Sequence, residues 1–156
     1  MYVNLGIIFV QELEWPDLSF FSLTDLAPLI AVLNRRTNSN APAGCAPGTQ
    51  TYVQVRMLGT AAVPIVDSIL NAGYTIAMAH IHAQADEVIG NGGFYVWCST
   101  QGLTLRTWNT NNHQMTFGVV GAAFLALRTY MDFRTYGPAK FKIFDGPNEV
   151  GAGTLD

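Results

Sequence analysis

Residues 51–58 read Thr51-Tyr-Val-Gln-Val-Arg-Met-Leu58, and the alternation in this stretch decides the fold. Val53, Val55 and Met57 fall on one side, with Tyr52, Gln54 and Arg56 on the other. A period of two over eight residues marks a strand buried on one face only. Directly after it the period changes. Ile65, Ile69, Ala72, Ile76, Ala79 and Ala83 recur every three or four positions, and Ser68, Asn71, Thr75, His82 and Asp86 run along the opposite side. Pro64 stands where the first helical turn has no use for an N–H. Residues 65–85 therefore read as an amphipathic helix lying on a core.

The same alternation of periods then repeats. Gly90-Asn-Gly-Gly93 stops the chain, and residues 93–99 (GFYVWCS) are aromatic and β-prone. A turn at 100–102 leads into residues 103–109 (LTLRTWN), which alternate again. The Asn/Thr-rich loop 109–114 offers helix-capping side chains. Phe117, Val120, Phe124, Leu127 and Met131 then trace a second helical stripe. Beyond Gly137-Pro138, residues 140–144 (KFKIF) alternate, Asp145-Gly-Pro-Asn148 makes a turn, and residues 150–155 can pair back. The order β-α-β-β-α-β predicts an α+β, ferredoxin-like split βαβ sandwich: an antiparallel sheet, two helices on one face and a C-terminal β-hairpin.

Residues 45–156 account for that single domain, leaving 1–44 as a leader-like or covering segment and loop. Residues 1–33 contain no Lys or Arg, and Glu12, Glu14, Asp17 and Asp25 interrupt their apolar character. One reading is a terminal strand, a short helix and a surface loop. The other is a secretory leader: residues 26–33 (LAPLIAVL), then Arg35-Arg36, then a polar, small-residue stretch follow the order of a hydrophobic run, a processing site and a mature start. Secretion is the expected localisation. No run reaches the 18 to 20 apolar residues that a membrane span needs, roughly, since the longest, 115–127, ends at Arg128.

Composition narrows the partners. Eight Lys and Arg stand against eleven Asp and Glu in 156 residues, for a net charge of −3. That balance does not make a phosphate-neutralising field, so nucleic acid is not an expected partner. Only 12% of residues are charged, against about 25% in an average domain. Interaction through a few defined side chains is the better expectation. Cys45 and Cys98 are the two cysteines; they either form one disulfide in a secreted chain or remain two thiols in a reduced one.

With helices on one side of the sheet, the other side should carry Tyr52, Gln54, Arg56, Tyr95, Trp97, Thr104, Arg106, Trp108, Lys140 and Lys142. Of these, Tyr52, Arg56, Tyr95, Trp97, Arg106 and Trp108 are the candidate binding residues, because Trp, Tyr and Arg anchor interfaces. Residues 1–36, a second copy in a sheet-to-sheet homodimer, or an unknown protein or glycan partner would occupy that face.

Catalytic raw material is sparse. His80, His82 and Glu87 form H-x-H-(x)4-E, which resembles the first metal motif of the cupins. On a helix, however, positions i and i+2 point about 200° apart, so no metal site is expected. His82 and His113 are the remaining candidates for acid–base work, His82 on the polar stripe near Asp86 and His113 in the loop before the second helix. No nucleophile elbow, phosphate loop or dinucleotide fingerprint occurs, and no cofactor is implied.

Short motifs carry a resemblance. They are the leader-like Leu-Ala-Pro-Leu-Ile-Ala, Arg35-Arg36, Ala-Gly-Cys-Ala-Pro-Gly at 43–48, Gly-Gly-Phe-Tyr-Val-Trp at 92–97, and the closing Phe-Asp-Gly-Pro-Asn-Glu-Val-Gly-Ala-Gly-Thr at 144–154. On these the chain resembles small secreted proteins of filamentous fungi. The order of its elements is loosely similar to that of the smut-virus killer toxin family, α/β-sandwich proteins with a split βαβ core. The resemblance implies a secreted, effector-like or toxin-like protein without enzymatic activity; no functional residue is carried over from it. The alternative is a small enzyme of the dimeric α+β barrel type, a monooxygenase, isomerase or cyclase with an apolar pocket.

Overall fold

The computed structural model describes residues 43–156. Expectations for residues 1–42, as leader, strand, helix or sheet cover, lie outside the described residues. The elements are β1 (Ala43–Cys45), β2 (Thr51–Met57), α1 (Val63–Gln84), a single turn α2 (Gly90–Gly93), β3 (Tyr95–Cys98), β4 (Thr104–Asn109), α3 (Phe117–Asp132), β5 (Ala139–Asp145) and β6 (Asn148–Leu155). The architecture is α+β: six strands in one antiparallel sheet, ordered β1-β2-β5-β6-β4-β3, with the two long helices packed on each other and on one face.

Both helical crossovers are split. The strands β4 and β5, joined through α3, run parallel with β6 between them; β2 and β3, joined through α1, run parallel with three strands between them. The C-terminal hairpin β5–β6 thus occupies the middle of the sheet. Its first strand is buried on one side only: Ala139, Phe141 and Ile143 lie under the helices, while Lys140 and Lys142 emerge on the far side.

The core lies between sheet and helices. Val53 and Val55 of β2, Leu105 of β4, Ile143 of β5 and Leu155 of β6 meet Val66, Ile69 and Leu70 of α1 and Val120, Phe124 and Leu127 of α3. The α3 stripe falls where its periodicity places it. That of α1 is rotated. Val66, Ile69, Leu70, Gly73 and Ala77 are its buried positions, whereas Ala79 and Ala83 face outward. Alanines on several sides of this helix blur the apolar stripe, and the large residues decide which face docks.

Both long helices have an identifiable start. Pro64 opens α1. At α3 the Thr116 hydroxyl accepts from the Val119 N–H at 3.3 Å, which satisfies one of the unpaired donors of the first turn. Asp86, from the loop after α1, supplies a second cap: its carboxylate accepts from Gly118 N at 2.8 Å and from Thr116 Oγ1 at 3.0 Å. Asp86 therefore does not act as the partner of His82. A partly buried ion pair, Arg128 Nε to Asp67 Oδ1 at 2.6 Å, ties α3 to α1. Burial alone would lower the affinity of the Arg128 guanidinium for its proton, but the contact with Asp67, backed by the charge of Asp132, more than offsets this and the net shift is upward.

Two expectations are corrected. Residues 43–45, read as loop, form the edge strand β1. Its three residues carry no readable alternation, and Gly44 faces α3 while Cys45 pairs with Tyr52. The intramolecular disulfide is also absent: Cys45 is on β1 and Cys98 on β3, at opposite edges of the six-stranded sheet. With strands about 4.8 Å apart, five strand spacings far exceed the reach of a disulfide, whose Cα atoms stand less than about 7 Å apart.

Candidate functional site

The sheet face opposite the helices is built row by row from the strand register. One row across it reads Arg56 (β2), Lys140 (β5), Thr154 (β6), Arg106 (β4) and Val96 (β3). The next reads Gln54, Lys142, Ala152 and Trp108. Farther along, Tyr52 stacks on Phe144 across the β2–β5 ladder, with ring centroids 4.7 Å apart and planes within 6°.

Side-chain length gives this face its relief. Between the cations of β5 and those of β4, β6 places only the short Ala152 and Thr154, while β5 and β2 raise long side chains on one flank and β4 raises Arg106 and Trp108 on the other. The result is a depression of about 430 Å³ over β6, lined by Gln54, Arg56, Lys140 and Lys142 on one flank, Trp108 on the other, and Ala152 and Thr154 on its floor. Trp108 is 36% exposed and stands on the same face as four cations.

The cations differ in their partners. The Lys142 ammonium donates to Glu149 Oε2 at 2.8 Å, and Arg106 reaches Asp156 at 3.5 Å. Arg56 and Lys140, directly paired across β2 and β5, have no carboxylate within ion-pairing distance among the described residues. Like charges at directly opposed positions destabilise a sheet.

Sequence reasoning located Tyr52, Arg56, Arg106, Trp108, Lys140 and Lys142 on this face correctly. Tyr95 and Trp97 are a correction. Their partners Thr107 and Leu105 are buried residues of the helix-facing side, so both point toward the helices. The Tyr95 hydroxyl donates to the Gly73 carbonyl of α1 at 3.1 Å, and its ring packs against Phe117 and Phe124. Burial pushes its phenol up to about 12. Val96 and Cys98 take the open face instead. In Tyr-Val-Trp-Cys every residue is apolar or aromatic, so no contrast marks which parity faces in. Phe144, Ala152 and Thr154 also lie on this face, and the sequence analysis does not single them out. Parity from Lys140 finds Phe144; the small residues of β6 carry no comparable signal.

The histidines do not converge. His82 and His113 are both exposed, and neither lines the depression. His80 stacks on Phe117 with ring centroids 3.7 Å apart, and its Nε2 lies 3.8 Å from Glu87, too far for a hydrogen bond. His80 is thus part of the packing between α1 and the start of α3, and it points away from His82. Among the described residues no three His, Cys, Asp or Glu side chains come together as a metal-holding group, and no helix is long and apolar enough to cross a membrane. The depression lies on the open face of the sheet.

Comparison with known protein families, curated proteins and solved structures finds no match for this chain.

Proposed function

We propose that the chain is a non-enzymatic interaction protein of the secreted, effector-like kind, holding its partner on the open sheet face. One observation carries the reading: exposed Arg56, Lys140, Lys142 and Trp108 surround a depression on the side of the sheet that the helices leave uncovered. Aromatic and cationic side chains on a rigid sheet are the anchors from which binding surfaces are made. The leader-like residues 26–36 support an extracellular partner.

A sheet-to-sheet homodimer is a poorer occupant. An isologous contact brings the same patch against itself, so here a face with four cations and two acids would meet an equally cationic one. A partner of different chemistry meets no such cost.

The test is an array of immobilised glycans and peptides, probed with the full-length protein and with a Trp108→Ala/Lys140→Ala variant. Binding to a subset of features that disappears in the variant supports the reading. An unchanged binding pattern in a variant with native circular dichroism overturns it.

A further inference from the structure

We infer that the trough over β6 is a site for a small planar anion: an aromatic or conjugated ring carrying a carboxylate or another oxyanion. The inference deepens the open-face reading and rests on it. Three independent features point to that chemistry.

The first is charge. Lys142 and Arg106 are each answered by an acid of the same face, Glu149 and Asp156. Among the described residues no acid answers Arg56 or Lys140, although they stand side by side in the register and both line the trough. Two adjacent unanswered cations, one a planar five-donor fork and one a mobile ammonium, match an oxyanion that takes a bidentate contact from one and a point charge from the other.

The second is shape. Ala152 and Thr154 form a floor one strand wide between longer side chains on either flank. The volume of about 430 Å³ falls within the range of small-molecule sites, roughly 300 to 1,000 Å³. The apolar floor favours a ring over a fully hydrated ion.

The third is the placement of Trp108. It lies two strands from Lys140 and one row along, which strand geometry puts at about 12 Å between Cα atoms. With both side chains directed over the trough, a ligand of one or two fused rings spans the gap. Its ring meets the indole at one end, and its anionic group meets Lys140 and Arg56 at the other. An indole offers an apolar stacking surface for such a ring.

The experiment titrates the full-length protein with 2-naphthoate and, separately, with the uncharged isostere 2-naphthamide, following the tryptophan indole N–H signals by NMR. The Trp108 signal is assigned by its loss in Trp108→Phe. Saturable movement of that signal by naphthoate, with naphthamide at least tenfold weaker, is the expected result. Lys140→Gln and Arg56→Gln should each weaken naphthoate roughly tenfold, equivalent to about 1.4 kcal/mol, while Arg134→Gln, an exposed cation after α3, leaves it unchanged. Equal binding of the two probes overturns the anionic specificity and leaves the open face as a binding surface. Unchanged naphthoate affinity in both glutamine variants overturns the placement. If neither probe moves the Trp108 signal, the inference fails, whereas the open-face reading fails only if the array pattern also survives Trp108→Ala/Lys140→Ala.

Discussion

Arg56 and Lys140 face each other across the β2–β5 ladder, two exposed cations at directly paired positions with no acid in ion-pairing distance of either among the described residues. Opposed like charges cost a sheet stability, and opposite charges at the same positions contribute about 0.2 to 1 kcal/mol. Lys140→Glu should therefore raise stability at low ionic strength by up to about 1 kcal/mol, read as a higher urea midpoint. Concentrated salt should shrink the gain, because screening weakens both the repulsion and its replacement. A variant that gains stability while losing affinity for anions would show that the native pair is kept for binding at the expense of the fold. A loss of stability in low salt would contradict the repulsion.

Gly44 is the point at which β1 touches α3. A Cβ built there would collide with the Ala126 carbonyl oxygen and with Cβ of Tyr130. Both obstacles belong to the helix frame and cannot swing aside like the end of a long side chain. Gly44→Ala should lower stability by about 1 to 3 kcal/mol, the usual range for overpacking, read as a reduced urea midpoint. A midpoint equal to that of the wild type would show that β1 is not seated on α3.

Strands whose two faces differ in polarity were readable from the chain alone. β2 and β5 show it best: Val53, Val55, Phe141 and Ile143 turn inward, and Arg56, Lys140 and Lys142 turn outward, as their alternation requires. For β3 the sequence exchanges the two faces, because Tyr95 and Trp97 differ little in hydrophobicity from Val96. Only pairing with β4, where Leu105 and Thr107 are buried, settles the parity. The position of the hairpin was not readable at all. Whether β5–β6 lies at an edge or between β2 and β4 depends on contacts far apart in sequence, and local periodicity does not encode them. The trough shares that fate: its flanks follow from Arg56, Lys140 and Trp108, but its existence depends on small Ala152 and Thr154 lying between them.

Tyr95 links the sheet to α1 through a neutral hydroxyl. Its O–H donates to the Gly73 carbonyl at 3.1 Å, and burial holds its phenol near 12, against about 10 in an unfolded chain. Below pH 10 both states keep the proton and the contribution to stability is complete. Between pH 10 and 12 the unfolded state releases the proton while the native state retains it, so stability falls as pH rises. Tyr136, also raised to about 12 by burial and by its hydrogen bond to Asp132, adds to the same decline. Tyr95→Phe should cost about 1 kcal/mol at neutral pH and flatten part of the alkaline loss, leaving the share of Tyr136. Urea denaturation series at pH 8 and pH 11, with wild type and variant side by side, measure both effects. An identical alkaline slope in the two proteins would mean that Tyr95 is not buried as a neutral donor.

Asp86 reaches from the loop after α1 to the first turn of α3, about thirty residues away in sequence, and accepts from both Gly118 N and the Thr116 hydroxyl. The neighbouring residues reinforce the junction: Phe117 N donates to the Glu87 carbonyl, and Ile89 N donates to that of Met115. A carboxylate at a helix N-terminus satisfies an unpaired donor and lies at the positive end of the helix dipole. Asp86→Ala removes both effects and should cost about 1 kcal/mol, within the range for a lost cap. Asp86→Asn keeps an acceptor without the charge and should recover part of that loss. Because Gly118 lies against the Asp86 carboxylate, the alanine variant should also expose the Gly118 amide to faster hydrogen exchange. Protection at Gly118 unchanged in Asp86→Ala would show that Thr116 alone caps α3, and that the loop after α1 is held by its backbone hydrogen bonds.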